Sequence, residues 1–192
     1  MAIAGRQWYS PISGWNDNRV ADGAGTEGSV CLRRELRCQT RWCGQIAVGE
    51  VPDEEYILPI GVSDLKRAGQ NITIVTYSRM LHVALTAAEQ LSQDGIECEV
   101  IDLRTLRPLD MAPVYESVKK THRMVVLEED WVTCGMGAEI AVRVSHDLFD
   151  ELDMLVERLG QVEVLMPYAK NLEALMFPTQ EQVVGKIKGM FA

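Results

Sequence analysis

Residues 71–91 read NITIVTYSRMLHVALTAAEQL. The first seven, Asn71 to Tyr77, are mostly apolar and β-branched, which is the composition of a buried strand. At Ser78 the period changes. Met80, Leu81, Ala84, Leu85, Ala88 and Leu91 recur at the spacing of one helix face. Ser78 is a residue type that caps helix N-termini, and Gly95 is the type that ends them. A buried strand turning directly into an amphipathic helix is half of a βαβ unit.

The alternation continues outward. Cys98 to Leu103 reads as a second strand, and Asp110 opens a helix to about Lys120, with Pro113 in the first turn where proline is tolerated. Arg123 to Glu128 is a third strand, Gly137 to Leu152 a long amphipathic helix, Leu155 to Leu159 a shorter strand, and Thr179 to about Met190 a terminal helix. Alternating elements predict an α/β fold with a mainly parallel sheet covered on both faces. Residues 49–70, beginning GEVPDEEYILPIG, read as a connector, and residues 1–48 have no clear period. The expected organisation is therefore an irregular segment 1–48, a connector 49–70 and one domain 71–192.

Charge divides the chain in the same place. Residues 1–48 hold six Arg against four acids, while residues 49–192 hold 13 basic against 24 acidic residues, within a net charge of −9. An acidic chain argues against non-specific nucleic-acid binding. No run approaches the roughly 18 apolar residues of a membrane span. The first residues lack the apolar run of a secretory signal, so the expected compartment is the cytoplasm, with an organelle as the alternative. Five cysteines, Cys31, Cys38, Cys43, Cys98 and Cys134, do not read as a disulfide framework. The spacing of the first three is not that of a zinc site, and Cys98 reads as a small buried hydrophobe. No metal site is expected.

In open α/β sheets, ligands and partners gather beyond the carboxyl ends of the strands. Three segments fall there. Tyr77-Ser78-Arg79 offers either anion binding at a helix N-terminus or, the preferred reading, a Ser78 cap with Arg79 in solvent. Arg104 and Arg107 in DLRTLRPLD can grip a carboxylate or phosphate, or pair internally or across an interface, which is preferred. In EEDWVTCGMGAEI, Glu128, Glu129 and Asp130 precede Trp131, and Gly135 and Gly137 lead into a helix. The partial glycine pattern resembles a dinucleotide fingerprint without its third glycine, so a tight turn at a subunit contact is preferred. His82, His122 and His146 are dispersed, with His82 near the strand ends. No catalytic, cofactor-binding or metal-binding residue is assigned.

Seven segments in order, GEVPDEEYILPIG, ITIVTYSRM, EVIDLRTLRPLD, ESVKKTHRMVVLEE, GMGAEIAVRV, FDELD and MPYAKNLE, carry a family resemblance across residues 49–192. The chain resembles the C-terminal domain of the beta subunits of pyruvate dehydrogenase-type 2-oxoacid dehydrogenases, in the transketolase C-terminal-domain superfamily. Branched-chain and acetoin enzymes share much of the pattern. Cys134 stands where the family often has glycine, Met154-Leu155 where it has Ala-Pro, and Leu165 where it has proline.

The resemblance implies a three-layer α/β/α fold with a five-stranded, mostly parallel mixed sheet. It implies an assembly of two alpha and two beta subunits that uses thiamine diphosphate and magnesium. Those groups would be held by the alpha subunit and the N-terminal domain of the beta subunit, so none is expected to bind this chain alone. The full enzyme would decarboxylate pyruvate and pass the acetyl group to lipoamide on a dihydrolipoyl acyltransferase core. The candidate subunit surface is Ser78, Arg79, His82, Arg104, Arg107, Glu128, Glu129, Trp131, Gly135 and Gly137. The candidate acyltransferase dock is Asp150, Glu151 and Asp153. A stand-alone acidic interaction module and a regulatory ligand domain using Arg104 and Arg107 are the alternatives.

Overall fold

A computed structural model describes residues 59–191. Residues 1–48, with Cys31, Cys38 and Cys43, lie outside the described residues. Five strands form one sheet in the order β1-β3-β2-β4-β5, from Asp64–Arg67 (β1), Ile72–Thr76 (β2), Cys98–Asp102 (β3), Met124–Trp131 (β4) and Glu157–Gln161 (β5). β1 runs antiparallel to β3, and the other pairs are parallel. The expected mixed five-stranded sheet is present. Its antiparallel edge, β1, falls within the stretch read as connector. The sequence DLKR carries no strand signal because three of its four residues are charged.

The helices are Met80–Gln93 (α1), Ala112–Thr121 (α2), Met136–Asp147 (α3), the single turn Lys170–Glu173 (α4) and Gln180–Gly189 (α5). β2, β3 and the first half of β4 are buried residue by residue, because helices cover both faces. On one face α1 and α5 cover Ile72, Ile74, Val100, Val125 and Leu127. On the other, α2 and α3 cover Val75, Ile101, Met124 and Val126. Alternation along β2 turns Thr73 toward α2, where its hydroxyl meets those of Ser117 and Thr121 at 2.6 Å each, so a buried polar group is satisfied. Cys98 is buried as expected, and burial pushes its thiol up to about 12.

Several details differ from the sequence reading, among them β5, which runs Glu157–Gln161 where Leu155 to Leu159 was expected. β4 runs three residues past Glu128, to Trp131, so the acidic triplet is strand rather than turn. α3 ends at Asp147, and a 3-10 turn, Phe149–Glu151, replaces its expected last turn. Ser78 does not cap α1. Arg79 occupies the cap position without a side-chain bond, and Ser78 has φ 59°, in the left-handed region. By contrast, Thr179 closes a full capping box with Gln182 at the start of α5.

Candidate functional site at the strand ends

The chain leaves β2 toward β3 on one side of it and returns to β4 on the other. The carboxyl ends of β2 and β4 therefore flank the switch point of the sheet, where open α/β folds place ligands. The backbone there is unusual. Ser78, Arg104 and Cys134, just beyond β2, β3 and β4, all have left-handed φ near 55–60°, a conformation rare for residues with a side chain. At Cys134 this is a conformation that glycine would adopt at no steric cost.

Consecutive acids on β4 point to opposite faces of the sheet. Glu128, fully buried, faces α3. Its Oε2 accepts the Tyr77 hydroxyl at 3.0 Å and the Gly137 N–H at 2.8 Å. Burial pushes the Glu128 carboxyl above the usual carboxylate range, against the lowering effect of those two donors. Burial and the adjoining Glu128 carboxylate push the Tyr77 phenol up as well. The N-terminus of α3, the place where a dinucleotide phosphate would sit, is thus turned toward a carboxylate of the chain itself.

The two glycines are explained by the same carboxylate. A Cβ on Gly137 would lie 2.4 Å from Glu128 Oε1, and one on Gly135 would lie 2.2 Å from the Trp131 carbonyl oxygen and 2.8 Å from Glu128 Oε1. Gly135 and Gly137 are there because Glu128 and the end of β4 occupy the space of a side chain.

Glu129 faces the α1 side. Burial raises its carboxyl, while Arg79 and the Ser78 hydroxyl beside it act to lower it. The Arg79 guanidinium lies 4.0 Å from Glu129 and 3.9 Å from Glu173, and stacks over the Phe177 ring at 4.2 Å. Arg79 is thus an internal clamp between β4 and the segment after β5, instead of a solvated side chain. With the Gln161 amide turned so that its oxygen faces the indole, that oxygen accepts the Trp131 N–H at 2.5 Å, across the β4–β5 pair. His82 is half-buried on α1, and burial lowers its imidazole below the ordinary histidine value.

The DLRTLRPLD loop is separate from this cluster. Arg104 meets Asp64 of β1 at 2.5 Å, and Lys66 meets the same carboxylate at 2.7 Å. Asp102, fully buried, accepts the Arg104 N–H at 3.0 Å, and burial pushes its carboxyl up to about 6. Arg107 is exposed. Arg104 thus fastens the antiparallel edge strand.

The acids Asp150, Glu151 and Asp153 lie at the opposite end of the sheet, before the start of β4. Asp153 is 3.4 Å from Arg123, Glu151 is 3.9 Å from the His122 ring, and Asp150 is exposed. The two sets of candidate residues are therefore not one site.

One surface gave no sequence signal. Residues 162–175, VEVLMPYAKNLEAL, leave the carboxyl end of β5 and return to it, with the Val162 N–H donating to the Met176 carbonyl at 3.0 Å. Leu165 is 86%, Tyr168 105% and Leu175 74% exposed. Apolar residues in a run suggest core from sequence alone, and only the fold shows that they face outward. Among the described residues, no group of three or more His, Cys, Asp or Glu is placed to hold a metal ion, and no helix is long and apolar enough to cross a membrane.

Three layers, this sheet order and this strand-end joint define an α/β domain of the transketolase type. The family model described as transketolase, C-terminal domain, matches residues 61–183, and the chain belongs to that family. Its curated relatives include beta subunits of pyruvate dehydrogenase. The chain is 47% identical over 139 residues to the mitochondrial pyruvate dehydrogenase E1 component subunit beta-1 of Oryza sativa, 45% over 140 residues to the mitochondrial subunit beta of Caenorhabditis elegans, and 44% over 139 residues to the subunit beta of Rickettsia felis. Each match covers 72% of this chain but only 37%, 40% and 43% of the respective relative. The chain thus spans about two fifths of the length of these relatives. Among solved structures, a split gene transketolase described as an inactive beta4 tetramer matches with a TM-score of 0.59 and 27% identity, covering 74% of this chain and 47% of that one.

Proposed function

We propose that the chain is the assembly domain of the beta subunit of a thiamine-diphosphate-dependent pyruvate dehydrogenase. The whole enzyme decarboxylates pyruvate oxidatively and transfers the acetyl group to lipoamide, and this domain joins subunits. The observation that carries the reading is the 44–47% identity to pyruvate dehydrogenase beta subunits over 72% of the chain. The strand-end geometry supports an assembly role. Glu128 Oε2 is held by Tyr77 and Gly137, and Arg79 lies 4.0 Å from Glu129, so both carboxylates take part in the domain's own joint, while the buried Oε1 of each has no hydrogen-bond partner among the described residues.

The described residues do not fit thiamine diphosphate with magnesium. The α3 N-terminus already receives Glu128, and no acidic cluster is arranged for a metal. The cofactor belongs, in this reading, to the alpha subunit and the rest of the beta subunit. Partners are an alpha subunit and a second beta subunit in a heterotetramer, with the subunit surface at the strand ends. The acyltransferase core docks at Asp150, Glu151 and Asp153. The compartment is the cytoplasm for a bacterial source, and the mitochondrial relatives give the organellar alternative.

A chimera tests this directly. The chain replaces the C-terminal domain of a relative's beta subunit, co-expressed with the matching alpha subunit. Assembly with restored pyruvate decarboxylation is expected. Assembly only when the host subunits come from a branched-chain or acetoin enzyme would favour those enzymes. A folded chimera that fails to assemble would refute the reading. Calorimetric titration of the 192-residue chain with thiamine diphosphate and magnesium is expected to show no binding, and micromolar affinity would place the cofactor on this domain.

A further inference from the structure

Between Val164 and Leu175 the chain has little burial to hold it. Val164, Leu165, Met166, Tyr168, Leu172 and Leu175 are all exposed, and none belongs to either core cluster. The base of the segment is closed by the Val162 N–H on the carbonyl of Met176, which is itself buried. Farther out, the segment is tied back through Glu173, whose carboxylate lies 3.9 Å from the Arg79 guanidinium. Arg79 also stacks over the Phe177 ring at 4.2 Å and stands 4.0 Å from Glu129 of β4. One guanidinium thus faces a carboxylate of the sheet and a carboxylate of the segment at nearly equal distance. Neither distance is that of a charge-assisted hydrogen bond, about 2.7–2.9 Å. The buried Arg79 Nε and Glu129 Oε1 have no hydrogen-bond partner among the described residues. Arg79 is therefore shared, and a shift of about 1 Å closes it on either acid.

We infer that Arg79 is a positioning residue for the strand-end subunit surface, setting where residues 164–175 stand by dividing one cation between Glu129 and Glu173. The inference rests on the assembly reading and names a residue on which its surface depends. Arg79 acts through Glu173 and Phe177. Exposed side chains on an unrestrained segment must be ordered at the moment subunits join, and that ordering costs affinity. A cation held at the root of the segment removes part of the cost beforehand. A guanidinium suits the place because its flat face covers the Phe177 ring while its edge faces the carboxylates. The compact ammonium of lysine would keep the charge and lose most of the stacking. The sharing also has a sign. A change that withdraws Arg79 from Glu129 gives it to Glu173 and tightens the segment. A change that withdraws it from Glu173 loosens the segment. A side chain that merely fills space has no such dependence.

Amide hydrogen exchange on the full 192-residue chain tests the role of Arg79. The amides of Leu172, Leu175 and Met176 bond within the segment, so their exchange reports its order. Glu173→Gln should speed that exchange roughly 3–5-fold, the weight of one part-exposed ion pair, with the amides of β2 and β3 unchanged. Arg79→Leu should speed it roughly 10-fold, because the ring contact goes too. Arg79→Lys should recover part of the loss, and Glu129→Gln should slow exchange below wild type. Unchanged exchange in Glu173→Gln, equal acceleration of the β2 and β3 amides, Arg79→Leu no faster than Arg79→Lys, or one direction of change for both glutamate variants would overturn the inference. In the chimeric enzyme, Glu173→Gln and Arg79→Leu should raise the subunit dissociation constant by similar factors, and Arg79→Lys by less. A chimera that assembles equally well with and without both variants overturns the inference and spares the assembly reading. A wild-type chimera that fails to assemble defeats that reading, while the exchange data decide the role of Arg79 on their own.

Discussion

Replacing Gly137 with alanine sets two known effects against each other. Gly137 lies in the first turn of α3, and alanine in a helix is favoured over glycine by up to about 1 kcal/mol. The added Cβ, however, would sit 2.4 Å from Glu128 Oε1, 2.9 Å from its Cδ and 3.1 Å from Val126 Cγ1. Glu128 must swing away, yet it is fully buried and fixed by Tyr77 and by the Gly137 N–H itself. Breaking one hydrogen bond to a charged or strongly polar buried group costs about 1.5–3 kcal/mol. The clash wins, and a net loss of about 1–2 kcal/mol follows, which lowers a urea midpoint by roughly 0.5–1 M. The decisive measurement is a double-mutant cycle by urea unfolding. In a Glu128→Ala background the obstructing atoms are gone, so Gly137→Ala should be neutral or stabilising, with a coupling of about 1–3 kcal/mol. If Gly137→Ala raises the wild-type midpoint, or costs the same in both backgrounds, the account of the joint is wrong.

Gly135→Ala should be worse, about 3 kcal/mol, because its Cβ would meet the Trp131 carbonyl at 2.2 Å and a backbone atom cannot rotate aside; the same urea titration reads it. Asp102 gives a pH signature. Its folded carboxyl is pushed from 3.8 up to about 6, so the folded state holds its proton after the unfolded chain has lost it. Stability from this group is full below about pH 4 and lost as pH rises through about 6, and Asp102→Asn should improve relative to wild type by roughly 2–3 kcal/mol between pH 4 and pH 7; an offset that does not change with pH would count against it. Thr73→Val removes the hydroxyl shared with Ser117 and Thr121 and should lower stability by about 1–3 kcal/mol, whereas an unchanged midpoint would show that the buried hydroxyls re-pair. For the acyltransferase dock, Asp150→Lys should weaken binding to a basic subunit-binding domain and flatten its salt dependence in a pull-down titrated with sodium chloride; unchanged capture would move the dock elsewhere.

What the sequence disclosed follows from how local each signal is. β2, α1 and β3 were legible because a buried strand and an amphipathic helix each print a period on consecutive residues. β1 was not, because an edge strand need bury nothing and this one is held by Arg104, 40 residues away. Ser78 misled for a related reason. A serine before a helix has the composition of a cap, but the turn out of β2 takes left-handed φ and its hydroxyl serves Glu129. The acids Glu128 and Glu129 stood out as a run. Their roles depended on Tyr77, 51 residues distant, and on Arg79, which no spacing rule connects to them. The apolar loop at 162–175 was hidden in the opposite sense, since hydrophobic residues without a period read as interior until the rest of the chain is folded around them.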